Sequence, residues 1–151
     1  MGYEVRTTRL YGFYVGQQDD FPTWFMTWVK EKWKAEWSVN EGYMRQDIID
    51  APDAKDEIET EYFREFLSGT YLHGWPVTDD EEGPVLVSFG RSGSAEYVIG
   101  VKIDTHYVKP GRGPGGLLSK NDDIKAKKKA VDTFLATLNT KGGPITIQYE
   151  C

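Results

Sequence analysis

The sequence is poor in the residues that build covalent or metal frameworks. It has one cysteine, Cys151, at its last position, and two histidines, His73 and His106. A single cysteine permits no internal disulfide, which excludes a disulfide-stapled scaffold. Two isolated histidines without a cysteine pair give no zinc-type ligand spacing, so neither a metal nor a cofactor is expected. No apolar run approaches the roughly 18 residues a membrane-spanning helix needs, so no membrane partner is expected. The opening MGYEVRTTRL has neither an apolar signal core nor an Arg- and Ser-rich transit pattern, and the expected location is cytoplasmic.

Positive charge is also short. There are 18 basic residues against 24 acidic ones, a formal charge of −6. Nucleic-acid affinity rests on neutralising phosphates, so direct nucleic-acid binding is not expected. The deficit is uneven along the chain. Residues 47–82 carry 12 acids against Lys55 and Arg64, a net of −10, whereas residues 109–129 carry seven bases against Asp122 and Asp123, a net of +5. The acidic stretch is therefore the part suited to a basic partner.

Aromatic residues are abundant, at 14% of the chain, and they supply much of the bulk available for a core. A length of 151 residues fits one domain, residues 1–151, able to bury roughly 70% of its unfolded surface. Period-two alternation marks a first strand at 3–15, with Tyr3, Val5, Tyr11, Phe13 and Val15 on one parity. Thr7 and Arg9 interrupt that apolar face, which calls for a bulge or for an inward Arg with a partner. Pro22 after Asp19 and Asp20 opens a first helix carrying Trp24, Phe25, Trp28, Val29, Trp33 and Trp37. Residues 43–52 are ambiguous. Pro52 restarts the chain into a second helix at 53–68, built on Ile58, Tyr62, Phe63, Phe66 and Leu67. Residues 70–83 read as a loop. Two strands follow, with Val85, Val87 and Phe89 on one and Tyr97, Ile99, Val101 and Ile103 on the other, joined as a hairpin through residues 91–94. Residues 109–121 read as a Gly/Pro-rich loop, residues 122–139 as a third helix, and residues 145–150 as the last strand.

The order β-α-α-β-β-α-β predicts an α+β fold of the ferredoxin-like sandwich type: a four-stranded antiparallel sheet with the helices on one face. A curved sheet crossed by the Trp-rich helix is the alternative. In the flat version the outward parity holds Glu4, Arg6, Thr8, Lys102, Asp104, Thr146, Gln148 and Glu150, with Leu10, Tyr14, Leu86 and Val98 as its only apolar members. That is a polar face of mixed sign, unsuited to stacking bases.

Four features are candidates for function. His73 and His106 would serve a phosphoesterase-like reaction only if the fold brought them together. Asp79, Asp80, Glu81 and Glu82 form an acidic loop tip. GRGPGG, residues 111–116, resembles the start of a phosphate-binding loop, because glycine backbones let N–H groups approach an anion. Leu117 and Leu118 stand where that pattern needs Lys and Ser or Thr, which argues against triphosphate hydrolysis. A smaller anion or nucleotide held by Gly111, Arg112, Gly113, Gly115, Gly116 and Lys120 remains the candidate ligand. Finally, Trp24, Trp28 and Trp37 spread around the first helix more widely than one buried stripe requires, a pattern suited to a protein partner or a second copy of the chain. These features favour a non-catalytic acidic binding protein, an inhibitor or accessory module that docks on a basic surface of another protein. A binder of a phosphorylated small molecule is the alternative, and a His-dependent enzyme the second.

Overall fold

Where the chain alternates, strands form, and where its apolar residues step by three and four, helices form. The computed structural model describes residues 5–37, 44–90, 94–109, 113–118 and 121–150. Residues 91–93 of the hairpin link, residues 38–43 at the expected end of the first helix, and Cys151 lie outside them. The described elements are β1 (Val5–Gly16), α1 (Thr23–Lys32), α2 (Lys34–Trp37), α3 (Met44–Asp50), α4 (Lys55–Ser68), β2 (Trp75–Pro76), β3 (Val85–Phe89), β4 (Glu96–Lys109), β5 (Gly113–Leu118), α5 (Asn121–Thr137) and β6 (Gly143–Glu150). Among the described residues no helix is long and apolar enough to cross a membrane.

The architecture is α+β around a single antiparallel sheet. Its six strands run β2-β3-β4-β1-β6, with β5 added on β4. The count exceeds the expected four for two reasons. Trp75–Pro76 pairs with the start of β3, and residues 113–118, expected as loop, are extended and laddered onto the far half of β4. Glycine and proline carry no strand signal of their own, so the partner strand, rather than propensity, makes β5.

The expected first helix is two helices. The Trp33 N–H still reaches the Val29 carbonyl, but the backbone turns off the helical path there and resumes as α2. The break lets the Trp33 ring bury between Trp28 and Phe66. Ahead of α4, Pro52 starts a short turn, and Asp56 and Glu57 lie in the first helical turn, where carboxylates favour the dipole. Phe25, Val29, Phe63, Phe66, Leu67, Val131 and Leu135 then pack from the helices onto Val15, Leu86, Tyr97, Ile99, Val101 and Ile103 of the sheet. Each fully buried side chain of this kind contributes about 1.5–3 kcal/mol.

The other sheet face is not the polar surface its parity suggests. Leu10, Val87, Phe89, Val98, Ile147 and Tyr149 form a second buried cluster there. On β3 the sides are opposite to expectation: Leu86 faces the helices, while Val87 and Phe89 turn to the second cluster. The reason is a fold in the sheet itself. Phe89 registers with Glu96, and Tyr149 with Arg6, which registers with Tyr107. On a straight β4 those positions would lie roughly 35 Å apart at the usual strand rise. Yet the Phe89 and Tyr149 rings are 5.3 Å apart. The long strands β1 and β4 therefore bend so that one half of the sheet closes over the other.

The bend is written into two glycines and a bulge. Gly12 and Gly100 are cross-strand partners. A Cβ at Gly12 would lie 2.1 Å from the Ile99 carbonyl oxygen, and one at Gly100 would lie 2.2 Å from that of Tyr11. The β1–β4 register also slips between Arg9 and Leu10. This slip moves Asp104, expected on the outward parity beside Lys102, opposite Arg9, where it is only 5% exposed. Bulges and glycine pairs are the usual corners of folded sheets.

Candidate functional site

One edge of β4 is shared by two short strands. β3 pairs with residues 96–100 and β5 with residues 104–109, so the two strands stop short of one another along β4. A cleft of about 510 Å³ opens beside this gap. Leu72, Val85, Val101, Ala126 and Ala130 supply its apolar lining. Asp80, Glu81, Glu82 and Asp123 line it too, with Lys102, Lys127 and His73. The carboxylates outnumber the ammonium groups two to one.

Local sequence explains how these side chains are held. The β2–β3 hairpin closes through the Val77 N–H to the Pro84 carbonyl at 3.1 Å. At its tip the Asp80 carboxylate accepts the Glu82 N–H at 3.0 Å, and the Asp80 carbonyl accepts the Gly83 N–H at 3.0 Å. An Asp that bonds its own backbone two residues on is a turn-former, so the acidic tip is a structured turn rather than a loose run. His73 is placed by the segment before it. Leu72 N–H donates to Ser88 O at 2.9 Å, and Ser88 N–H donates to Thr70 O at 3.0 Å. The buried Thr70 hydroxyl donates to Leu67 O at 2.6 Å and lies 2.8 Å from Ser88 Oγ. Leu72 adopts a positive φ of 62° and Gly74 one of 72°, and a Cβ at Gly74 would sit 2.5 Å from the Leu86 carbonyl oxygen. That turn throws His73 towards the acidic tip.

Lys102 closes the other side of the cleft. Its Nζ donates to the Leu72 carbonyl and lies 5.7 Å from the centre of the Phe89 ring. Partial burial, reinforced by repulsion from Arg6, lowers its pKa from the ordinary lysine value.

His106 has different surroundings. Its Nε2 is 3.4 Å from Asp104 Oδ1, and it is not among the residues lining the cleft. Asp104 is held mainly by Arg9, whose Nε donates to Oδ1 at 2.8 Å and whose second nitrogen donates to Oδ2. The hydrogen bond and charge of Arg9 hold the Asp104 carboxyl below its ordinary value, and that carboxylate raises the Arg9 pKa in return. The interrupted apolar parity of β1 was the sequence signal for this pair. Nothing comparable pointed to Lys102, Lys127 or Asp123, whose roles depend on the gap between β3 and β5.

The structure therefore divides the candidates. Asp80, Glu81 and Glu82 come together with His73, while Asp79 sits exposed in the same turn. His106 joins Asp104 and registers with Gly116, next to the Tyr107–Gly115 pair, and Gly113 registers with Lys109. Gly111, Arg112 and Lys120 lie outside the described residues. Trp24, Trp28 and Trp37 are half-buried, with rings against Phe13, Phe134 and Phe63 respectively, and Trp37 Nε1 donates to Lys30 O at 3.1 Å. The large apolar side chains that stand exposed among the described residues are Tyr14, Ile49 and Tyr71. Among the described residues no group of three or more His, Cys, Asp or Glu side chains is arranged to hold a metal ion. Set against known protein families, curated proteins and solved structures, the chain matches none of them.

Proposed function

We propose that this chain is a non-catalytic acidic binding protein, an inhibitor or accessory module, that docks on a basic surface of another protein. The observation that carries this reading is the cleft lined both by apolar side chains and by the carboxylates of Asp80, Glu81, Glu82 and Asp123. Apolar lining suits the methylene stem of a Lys or Arg, and the carboxylates suit its charged head. Trp24, Trp28 and Trp37, half-buried against Phe13, Phe134 and Phe63, are the aromatic contacts this reading assigns to the partner. The central strands, in the order β3-β4-β1-β6 with every neighbour antiparallel, support the ferredoxin-like split β-α-β arrangement as the scaffold.

The test is binding of an Arg- and Lys-rich peptide, followed by fluorescence anisotropy, against a neutral peptide of equal length. Preference for the basic peptide, weakening with salt and at least about tenfold weaker in the Asp80→Lys/Glu81→Lys/Glu82→Lys variant, is the expected outcome. Equal affinity for both peptides, unchanged in the variant, would sink the reading. A phosphorylated small molecule is the second reading, and the register of Gly116 beside His106 favours it. A nucleotide panel that raises the melting temperature of the wild type but not of His106→Ala would support that alternative.

A further inference from the structure

The cleft beside β4 carries charges of both signs and keeps them apart. Asp80, Glu81 and Glu82 come from one turn, the tip of the β2–β3 hairpin, while Lys102 comes from β4 and Lys127 from α5. Among the described residues neither lysine forms an ion pair with any carboxylate. Asp123 and Lys127 make the point most clearly. They stand four apart on α5, the spacing at which opposite charges commonly pair, and both line the cleft, yet they do not meet. Lys127 is half-buried. Lys102 has three N–H donors, and the Leu72 carbonyl accepts one of them. Burial and the charge of Arg6 both work against its ammonium form. A guest with positive charge alone would satisfy the carboxylates and set a further cation beside both lysines.

We propose that the cleft takes the carboxy-terminal residue of the partner, a Lys or Arg whose side-chain cation meets Asp80, Glu81 and Glu82 and whose terminal carboxylate meets Lys102 and Lys127. The inference rests on the basic-partner reading above and narrows it to a chain end. Charge complementarity argues for this occupant. A carboxy-terminal basic residue holds a cation and a carboxylate at the two ends of one methylene stem, and the apolar lining of the cleft suits that stem. The volume of about 510 Å³ lies in the range of small-ligand pockets, which fits a chain end rather than a helix or strand. A terminal residue also needs only one stretch of chain leading out of the cleft, where an internal residue needs two. The carboxylates that remain in excess over the two lysines are left for basic residues further back in the partner.

Fluorescence anisotropy on an Arg- and Lys-rich peptide, labelled at its amino terminus and ending in Lys, tests this with two endings, a free carboxylate and an amide. The amide peptide is the more positive by one charge, so attraction to an acidic protein alone makes it the tighter binder. The expected result is the opposite: the free-carboxylate peptide binds at least about tenfold more tightly, the scale of one charge-assisted contact. In Lys127→Gln the free-carboxylate peptide should weaken and the amide peptide should not, so that the two affinities converge. Lys102→Gln should give the same convergence from β4. Circular dichroism confirms that each variant is folded, and Lys127→Gln decides alone if Lys102→Gln does not fold. An amide peptide that binds as tightly as the free carboxylate, with both preferred over a neutral peptide, overturns this inference and leaves the basic-partner reading standing. A free-carboxylate advantage that survives intact in Lys127→Gln also overturns it, since the carboxylate then lies elsewhere. Equal affinity for basic and neutral peptides overturns both.

Discussion

The helix-side core and the core inside the folded sheet are held by different means. The first is large and aromatic, with Phe21, Phe25, Trp28, Trp33, Phe66 and Trp75 linked ring to ring. It forms because amphipathic helices must bury their apolar faces. The second has six buried members among the described residues, and it exists because β1 and β4 bend over it. One core follows from local pattern. The other depends on backbone geometry at Gly12 and Gly100, where side chains have no room.

The strongest way to break the second core without touching its members is to refuse the bend. Gly100→Val sets a side chain against the Tyr11 carbonyl and should cost about 3 kcal/mol or more, as read by urea denaturation. A variant as stable as the wild type would mean that the corner lies elsewhere. Next in size is a matched pair of truncations. Phe25 and Phe89 are both fully buried, one in each core, and replacing either with Ala should cost about 3–5 kcal/mol. A Phe89→Ala cost below about 1 kcal/mol would show that water reaches the second face.

The Arg9–Asp104 pair sits beside the register slip and sharpens the comparison through pH. Because Arg9 lowers the pKa of the Asp104 carboxyl in the folded state, the pair stabilises the fold above the unfolded carboxylate value, about 4. That contribution is lost as pH falls through the lower folded value. Arg9→Ala should therefore lower the melting temperature at pH 7 and converge on the wild type in strong acid. A gap that persists undiminished in acid would rule out the charge pairing as its cause. The smallest effect concerns the helix-side core. Trp75 Nε1 is buried without a hydrogen-bond partner among the described residues. Trp75→Phe removes that unmet donor along with some ring area, so stability should change by no more than about 1 kcal/mol in either direction.

Much of the fold was legible in the chain. The alternation of β1, β4 and β6 and the three-and-four spacing of α1, α4 and α5 placed those elements close to where they lie, because each must bury one face whatever its neighbours do. The interrupted parity at Arg9 called for a bulge or for an inward Arg with a partner; the register does slip there and Arg9 has Asp104 as its partner, but the Arg9 side chain stays exposed and it is Asp104 that is buried. The side of β3 was not legible, because Val85, Leu86, Val87 and Phe89 are apolar on both parities and only the folded sheet decides which face each meets. β5 was not legible either, since a Gly/Pro run becomes a strand only when another strand is there to pair with it.

The candidate site divides in the same way. The acidic tip at residues 79–82 and the exposed histidines could be read directly as charged and polar groups with no apolar face to bury. Their grouping could not. His73 meets the acids because the Thr70–Ser88 network turns its segment over β3, and Lys102, Asp123 and Lys127 join them because β3 and β5 stop short of one another along β4. By itself the sequence determined the class of fold, the helix-side core and the sign of the charge. Tertiary structure alone decided the second core and the cleft, since each depends on how far one strand runs beside another, a long-range quantity that no local pattern of side chains encodes.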